Sequence, residues 1–282
     1  MTEPSSAGFV AESPATATAA SSIFAPGLLA GQVAFVTGGG TGIGLAIARE
    51  LGALGARVVI ASRKLDVVTE AAAQLRAVGL DATALALDIR DSEQVSRVIT
   101  DILASHGRLD VLVNNAGGQF PSPAAAISTN GWNAVISTNL NGTWYVTREA
   151  ARQWMLAHGG RIVSVVADMW RGFPGMVHTG AARAGVVNMT KTLAVEWAQF
   201  GVRINAIAPG VIASSGLTRY PPEVAENAWR TIPLKRLGTV EEVAWAVAYL
   251  VSPAGAFVTG ETLKLDGGGS LWGDRWPIGE PA

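Results

Sequence analysis

A glycine-rich turn that joins an apolar run to a helical stretch constrains the fold of this chain more than any other feature. The run at residues 32–37 leads into Thr37-Gly38-Gly39-Gly40-Thr41-Gly42-Ile43-Gly44, and helical periodicity follows at once. Glycines allow a tight turn and a close approach to a pyrophosphate, while the helix N-terminus offers unpaired N–H groups. Because strand, turn and helix are all visible, the pattern predicts a dinucleotide site rather than an ordinary turn.

The rest of the chain repeats this alternation of short apolar runs and helical stretches. The runs are β-branched and apolar on both faces, as in buried parallel strands. We predict strands at residues 32–37, 57–61, 82–87, 109–113, 161–166, 203–208 and 262–265. We predict helices at residues 42–54, 65–77, 92–105, 132–157 and 177–199. Right-handed β-α-β units of this kind build an α/β fold, a single Rossmann-type, doubly wound parallel sheet of about seven strands with helices on both faces.

Composition limits the domain organisation and the location of the protein. Of the 282 residues, 49% are apolar and 15% charged, which suits a large buried core. We expect a disordered tail at residues 1–22, which are rich in Ala, Ser, Thr and Pro, and a single dinucleotide-binding domain of the Rossmann type over residues 23–282. No secretory or mitochondrial signal and no run of membrane-spanning length is visible, so we expect a cytoplasmic protein without membrane contact.

Charge and metal-ligating residues exclude several other classes of function. The net charge is −1 and no basic run occurs, so the sequence gives no sign of nucleic-acid binding. The absence of cysteine rules out disulfides, thiolate metal sites and a cysteine nucleophile. His106, His158 and His178 do not lie at metal-ligand spacing, and we expect no metal.

The end of the second predicted strand indicates which dinucleotide is bound. An NAD site places an acidic residue there, and that carboxylate repels a 2′-phosphate. This chain has Ser62-Arg63-Lys64 instead, a hydroxyl followed by two cations, which suits the phosphate of NADP(H). The alternative is a solvated loop with two surface charges. Asp88, at the end of the third strand, is expected to face the adenine amino group unless it is a surface turn residue.

Several further segments carry a family resemblance. They are Asn114-Asn115-Ala116-Gly117, Thr138-Asn139-Leu140, Pro209-Gly210 and Asp266-Gly267-Gly268. With the glycine turn, they make residues 28–270 resemble the short-chain dehydrogenase/reductase family. Within that family the chain resembles peroxisomal trans-2-enoyl-CoA reductases and the related 2,4-dienoyl-CoA reductases, most specifically in residues 117–120 and 177–185.

The resemblance implies which residues hold the cofactor. Those at the pyrophosphate would be Gly38, Thr41, Gly42, Ile43 and Gly44. Those around the adenosine and the central sheet would be Ser62, Arg63, Lys64, Asp88, Ile89, Asn115, Ala116 and Gly117. Those at the nicotinamide and its ribose would be Arg183, Pro209, Gly210 and Val211. Asn139 would help to order an active-site water, or it is a helix asparagine with internal partners.

The catalytic motif departs from the family pattern. Where family members carry Tyr-x-x-x-Lys, this chain has Thr179-Gly180-Ala181-Ala182-Arg183, and Ala167 stands at the position of the family's serine. The spacing of four keeps Thr179 and Arg183 on one helix face. A threonine hydroxyl donates a hydrogen bond but is a poor proton source, and Arg183 stays charged. The candidates for the missing acid are Asp168 and His178, with a strand-end turn residue and a packed or subunit-facing histidine as the respective alternatives.

These departures favour reduction of a carbon–carbon double bond conjugated to a thioester. That reaction needs hydrogen-bond donors at the thioester oxygen more than it needs a phenol. The sequence therefore predicts an oxidoreductase of fatty acid metabolism that reduces an acyl-CoA of the trans-2-enoyl type, with 2,4-dienoyl and terpenoid-derived acyl-CoAs as variants. The alternatives are a carbonyl or ketoacyl reductase with a relocated acid, and a non-catalytic NADP(H)-binding protein. The family resemblance also implies a homotetramer or homodimer. Basic residues should rim the entrance for an acyl-CoA, and Arg219, Arg230, Lys235 and Arg236 either do so or are solvated surface charges.

Overall fold

The computed structural model describes residues 23–217 and 228–271. The predicted tail at residues 1–22 lies outside the described residues, as do Arg219 and the last residues, 272–282, of the predicted domain.

A parallel sheet of seven strands forms the centre of the molecule, in the order β3-β2-β1-β4-β5-β6-β9. A separate two-stranded sheet pairs β7 with β8. The strands are β1 (Val33–Thr37), β2 (Arg57–Ser62), β3 (Ala82–Ala86), β4 (Val111–Asn114), β5 (Gly160–Val165), β6 (Val202–Pro209), β7 (Ile212–Ala213), β8 (Gly238–Thr239) and β9 (Thr262–Leu265). Because the order reverses between β1 and β4, the loops after these strands open a crevice at their carboxyl ends.

Helices connect the strands and cover both faces of the sheet. The α-helices are α1 (Gly42–Ala53), α2 (Leu65–Ala77), α3 (Ser92–His106), α4 (Thr129–Ile136), α5 (Gly142–Ala150), α6 (Leu156–His158), α7 (Val177–Glu196) and α8 (Val240–Val251). Two π-helical segments, Ser137–Asn141 and Ala151–Met155, join α4, α5 and α6 into one run. Short 3-10 turns occupy Ala124–Ala126, Ala198–Phe200, Ala228–Thr231 and Pro253–Gly255.

The two faces of the sheet bury separate apolar layers. Val36 and Ile60 point to one face, where they belong to the same core cluster as Leu51 of α1. Phe35 and Leu112 point to the opposite face, in a second cluster. All of these side chains are fully buried, and each such residue stabilises the fold by roughly 1.5–3 kcal/mol. This double coverage explains why the strands read as unbroken apolar runs.

The predicted fold class is confirmed, and the remaining differences are local. The bounds of α2 and β9 agree with the prediction, whereas the helix predicted at residues 132–157 starts earlier and contains the two π-helical segments. The prediction missed β7, β8 and α8. A capping box between Thr239 and Glu242 begins α8, and this four-residue signal was available in the sequence. No helix among the described residues is long and apolar enough to cross a bilayer.

Candidate active site

The glycine turn after β1 is shaped by contacts that leave no room for side chains. Gly38 and Gly42 adopt φ values of +67° and +52°, which disfavour other residues. A Cβ on Gly44 would lie 2.2 Å from the Gly38 carbonyl oxygen. Thr41 precedes α1 without capping it, and the first turn of α1 has no acidic residue. The helix N-terminus is therefore left open toward an anion, which is what a pyrophosphate requires.

Thr37 and Asn115 fasten this turn to the loop after β4. The Thr37 hydroxyl accepts hydrogen bonds from the backbone N–H groups of Asn115 and Ala116, both at 3.1 Å. The Asn115 carboxamide donates to the carbonyl oxygens of Thr37 and Gly38 at 3.0 and 3.1 Å. Asn115 thus holds the glycine turn in place, and its amide group is already committed to the protein backbone.

Several residues predicted to contact the adenosine already have partners within the protein. The Ser62 hydroxyl bonds the backbone of Lys64, which fixes the turn that presents Arg63. Both carboxylate oxygens of Asp88 accept from Arg90, and this pairing is the main cause of the lowered pKa of Asp88. Arg90 therefore competes with adenine for the Asp88 carboxylate, and the sequence prediction did not include this ion pair. The Ile89 side chain is buried against Gly142, with 6% of its surface exposed to solvent.

Pro209, Gly210 and Val211 lie where β6 ends, beside the loop that follows β9. The Pro209 carbonyl accepts from the backbone N–H of Asp168 at 3.0 Å, and the Gly210 N–H donates to Leu265 at 2.9 Å. A Cβ on Gly210 would lie 2.9 Å from the Asp266 Cα. The Val211 carbonyl accepts from Gly238, which links this edge to β8. The carboxyl ends of β5, β6 and β9 therefore meet at one wall of the crevice.

Thr179 and Arg183 lie one turn apart on α7, and both are buried. The Arg183 guanidinium donates from Nη1 to the Val165 carbonyl at 2.8 Å. Its Nη2 lies against Gly117, where a Cβ would be only 2.4 Å away. Burial lowers the pKa of Arg183 to about 10, so it stays a cation at neutral pH. A buried cation that bonds a neutral carbonyl rather than a carboxylate favours an electron-rich ligand beside it.

Asn139 lies in the first π-helical segment and is fully buried. Its amide nitrogen donates to the Gly118 carbonyl at 2.7 Å and to the Val135 carbonyl at 3.1 Å. Its oxygen accepts from the Gly118 N–H at 3.2 Å. Of the two predicted readings, these bonds favour the asparagine with internal partners. It holds the loop that carries Gly117 against Arg183.

His178 is fully buried and packs against Phe120. The two rings meet edge to face with centroids 4.6 Å apart. Nδ1 of His178 accepts from the Thr179 backbone N–H at 2.8 Å, and the Thr179 hydroxyl lies 3.4 Å from the same atom. Because Nδ1 accepts, the ring proton lies on Nε2, which has no hydrogen-bond partner among the described residues. His178 is thus a buried neutral donor.

Asp168 lies near the carboxylate of Asp266, a pairing that the sequence analysis did not predict. Burial first, and then the charge of Asp266, raise the pKa of Asp168. Burial works in the same direction on Asp266, but hydrogen bonds from Ser270 and Gly268 outweigh it and lower the pKa of Asp266. Two neighbouring carboxyls with opposite shifts are the arrangement expected of an acid and its charged partner. Only the Asp-Gly-Gly motif pointed to Asp266 in the sequence.

Six buried side-chain polar atoms of the described residues have no hydrogen-bond partner. Among the described residues they are Arg49 Nε, Asn114 Oδ1, Asp168 Oδ1, His178 Nε2, Arg183 Nε and Thr262 Oγ1. Three of the six belong to residues that the sequence nominated as catalytic. Such groups cost about 1–3 kcal/mol each when nothing satisfies them, so a ligand that does satisfy them gains that energy.

Comparisons with known proteins identify the family of the chain. Residues 38–270 match the family model described as Enoyl-(Acyl carrier protein) reductase. The chain is 41% identical to the peroxisomal 2,4-dienoyl-CoA reductase [(3E)-enoyl-CoA-producing] of Danio rerio, over 88% of this chain and 85% of that protein. It is 37% identical to a probable 2,4-dienoyl-CoA reductase [(2E)-enoyl-CoA-producing] of Bacillus subtilis (strain 168), over 88% and 99%.

A solved structure is similar over the same span. The citronellol catabolism dehydrogenase of Pseudomonas aeruginosa PAO1 superposes with a TM-score of 0.81 at 47% sequence identity. The match covers 88% of this chain and 99% of that one.

Proposed function

Because the chain belongs to the short-chain dehydrogenase/reductase family, we propose that it reduces the carbon–carbon double bond of an α,β-unsaturated acyl thioester with NADPH. The substrate is of the trans-2-enoyl-CoA type. The observation that carries the proposal is the set of buried donors around Thr179, where a standard member has a phenol. The names of the relatives from D. rerio and B. subtilis support the same bond type.

The donor set suits a conjugated double bond better than an isolated ketone. A ketone oxygen must receive a proton as the hydride arrives, and general acid catalysis of that step is worth about 10²–10⁴-fold. A conjugated thioester instead spreads the negative charge onto its oxygen, which needs hydrogen bonds of about 3 kcal/mol each. The Thr179 hydroxyl, His178 Nε2 and Arg183 Nε are the donors available for that oxygen.

The α carbon then needs a proton, and Asp168 is the group suited to deliver it. Its pKa is raised by burial and by Asp266, so a larger fraction of Asp168 is protonated near neutral pH than for an ordinary aspartate. Its Oδ1 is buried and free to bond a ligand. Asp266, which accepts hydrogen bonds from Ser270 and Gly268, raises the pKa of Asp168 through its charge.

The nucleotide half of the site fits a nicotinamide dinucleotide. When bound, the cofactor supplies the hydride for the β carbon. The glycine turn, with its uncapped helix and a Gly44 position that a Cβ would fill, would hold the pyrophosphate. Ser62, Arg63 and Lys64 favour the 2′-phosphate of NADPH, since no carboxylate stands there to repel it. Arg183 and the edge at Pro209 would contact the ribose and the nicotinamide.

A substrate panel tests the proposal. Purified protein is assayed for NADPH oxidation with crotonyl-CoA, trans-2-decenoyl-CoA, 2,4-decadienoyl-CoA and a 3-ketoacyl-CoA, and each product mass is determined. We expect a product with a reduced C=C bond and little turnover of the 3-ketoacyl-CoA. A hydroxyacyl product would overturn the proposal in favour of a carbonyl reductase. NADPH binding without turnover of any substrate in the panel would contradict it and favour a binding protein.

Self-association remains part of the proposal. The stretch at residues 181–200 offers an apolar face for the homodimer or homotetramer that the family resemblance implies, and Val195 and Phe200 are exposed on it. Their exposure supports this prediction, which sedimentation or light scattering of the full chain would test.

A further inference from the structure

We propose that the cleft between the first turn of α4 and the first turn of α7 binds the acyl chain of the substrate, an inference that rests on the proposed function. The cleft has a volume of about 300 Å³, which is at the lower end for ligand sites. Its walls come from the 3-10 turn before α4, from α4 and from α7. The lining residues are Ala124, Ile127, Ser128, Thr129, Trp132 and Val177.

Large apolar side chains are exposed around this cleft. Trp132 is 37% exposed, Val177 45% and the adjacent Phe120 39%. Exposed apolar side chains that cluster, rather than scatter, mark a surface that binds something apolar.

Phe120 connects the cleft to the donors of the candidate active site. On one side its ring packs against the first turn of α4, with Cζ 3.0 Å from where a Cβ of Gly131 would stand. On the other side it meets the His178 imidazole edge to face. Val177 lines the cleft and is the residue directly before His178. A thioester held by His178 therefore has the cleft on the other side of Phe120, within reach of its acyl chain.

The chemistry of the walls selects the acyl end of the substrate over the CoA end. None of the lining residues carries a charge, so nothing there attracts the phosphates of CoA. The Ser128 hydroxyl already caps α4 by accepting from the Gly131 N–H at 3.1 Å. The ligand that fits is an apolar chain longer than the shortest enoyl group. Each methylene that enters the cleft should improve binding about fourfold.

The proposal is tested by placing a charge in the cleft. Val177→Asp puts a carboxylate at the first residue of α7, where the helix dipole tolerates it, so the fold is kept. We expect kcat/KM for trans-2-decenoyl-CoA to fall at least about tenfold, while kcat/KM for crotonyl-CoA stays within about twofold. The matched control is Phe257→Asp, which also replaces an exposed apolar side chain by a carboxylate, in the loop between the 3-10 turn at Pro253–Gly255 and β9 and outside the cleft. It should leave both substrates unaffected.

A second variant guards against a local folding defect. Trp132→Ala removes the largest wall of the cleft, and we expect it to raise KM for the decenoyl substrate with little change in KM for crotonyl-CoA. Equal losses on both substrates in both variants would overturn the proposal. A changed oligomeric state by light scattering, with chain-length preference kept, would overturn it as well and assign the cleft to a second copy of the chain.

A binding measurement separates this inference from the proposed function. Decanoyl-CoA and butyryl-CoA are titrated calorimetrically into the wild type and the Val177→Asp variant with NADP⁺ present. Tighter binding of decanoyl-CoA that the variant loses would support the cleft even if no enoyl-CoA is turned over. Equal binding of both by the wild type would contradict the cleft, whatever the enzyme reduces.

Discussion

The loop that carries the nucleotide cradle and the group of catalytic candidates differ in how far their polar groups are satisfied. Around the glycine turn, Thr37 and Asn115 bond the backbone on both sides, and the loop is fixed before any ligand arrives. Around α7 and the end of β5, His178, Arg183 and Asp168 each keep a buried polar atom that no described residue bonds. The backbone of the nucleotide half is thus preorganised by internal hydrogen bonds, whereas the catalytic half keeps donors and acceptors that the proposed substrate would bond.

This difference follows from what each half has to do. A pyrophosphate is bound by backbone N–H groups whose positions must not change, so rigid turn geometry is enough. A developing negative charge is stabilised by donors that are preorganised yet unoccupied, and their desolvation is offset only when the substrate is present. Substitutions in the nucleotide half should therefore change mainly the Kd for NADPH, and substitutions in the catalytic half mainly kcat.

The largest effect is expected from Asp168→Asn. Removing the acid should lower kcat about 10³-fold, while the Kd for NADPH stays unchanged because Asp168 lies outside the nucleotide cradle. Stopped-flow measurement of NADPH oxidation would check this. Asp101→Asn, an exposed aspartate on α3, is the control and should keep full activity. A variant with normal kcat would show that water protonates the α carbon without Asp168.

The same acid predicts a pH dependence with a definite sign. The protonated Asp168 is the active form, so kcat should fall as pH rises through the raised pKa. Asp266→Asn removes one of the two causes of that shift, and the falling limb should move to lower pH. The raised pKa also means that stability is lost as pH rises through it. Asp168→Asn should therefore raise Tm at neutral pH by about 1–2 °C, measurable by calorimetry.

Thr179→Val should have the next largest effect, a fall in kcat of about 10²–10³-fold. Valine keeps the shape of threonine but lacks the hydroxyl that lies 3.4 Å from His178. Thr179→Ser restores the donor and should recover most of the activity. If serine and valine behave alike, the hydroxyl does not act on the thioester oxygen.

Gly44→Ala should weaken NADPH binding, because it changes the glycine turn of the nucleotide half. Its Cβ would lie 2.2 Å from the Gly38 carbonyl oxygen, and overpacking of this kind costs about 1–3 kcal/mol, or up to about 10² in the Kd for NADPH. Fluorescence titration of NADPH measures the effect. Gly118→Ala is matched to it, because that Cβ would meet nothing within 4 Å, and it should bind NADPH normally. Equal Kd values for the two variants would contradict the rigid cradle.

The smallest effect is expected from Arg63→Ala. Loss of one exposed charge-assisted bond to the 2′-phosphate should weaken NADPH binding about tenfold and leave NADH binding unchanged. The preference between the two cofactors, measured as a ratio of kcat/KM, checks this. An unaltered ratio would mean that Arg63 is only a solvated surface charge.

Secondary structure and the nucleotide cradle were largely determined by the sequence itself. Buried strands need continuous apolar runs and a pyrophosphate turn needs glycines at fixed spacing, so Val33–Thr37 and Gly42–Ala53 follow from local patterns. The same local reading missed β7 and β8, because two-residue strands carry no periodicity. It also missed the π-helical segments, which depend on packing around residues such as Asn139.

The tertiary structure decided which nominated groups have partners and which are left open. Asp168 and Asp266 are distant in sequence and neighbours in space, since β5, β6 and β9 end at the same edge of the sheet. The partners of Asp88 and Asn139, and the free Nε2 of His178, likewise depend on how loops approach one another. Residue types and spacing follow from local chemistry, whereas hydrogen-bond satisfaction and pKa shifts arise only when separate segments exclude water together.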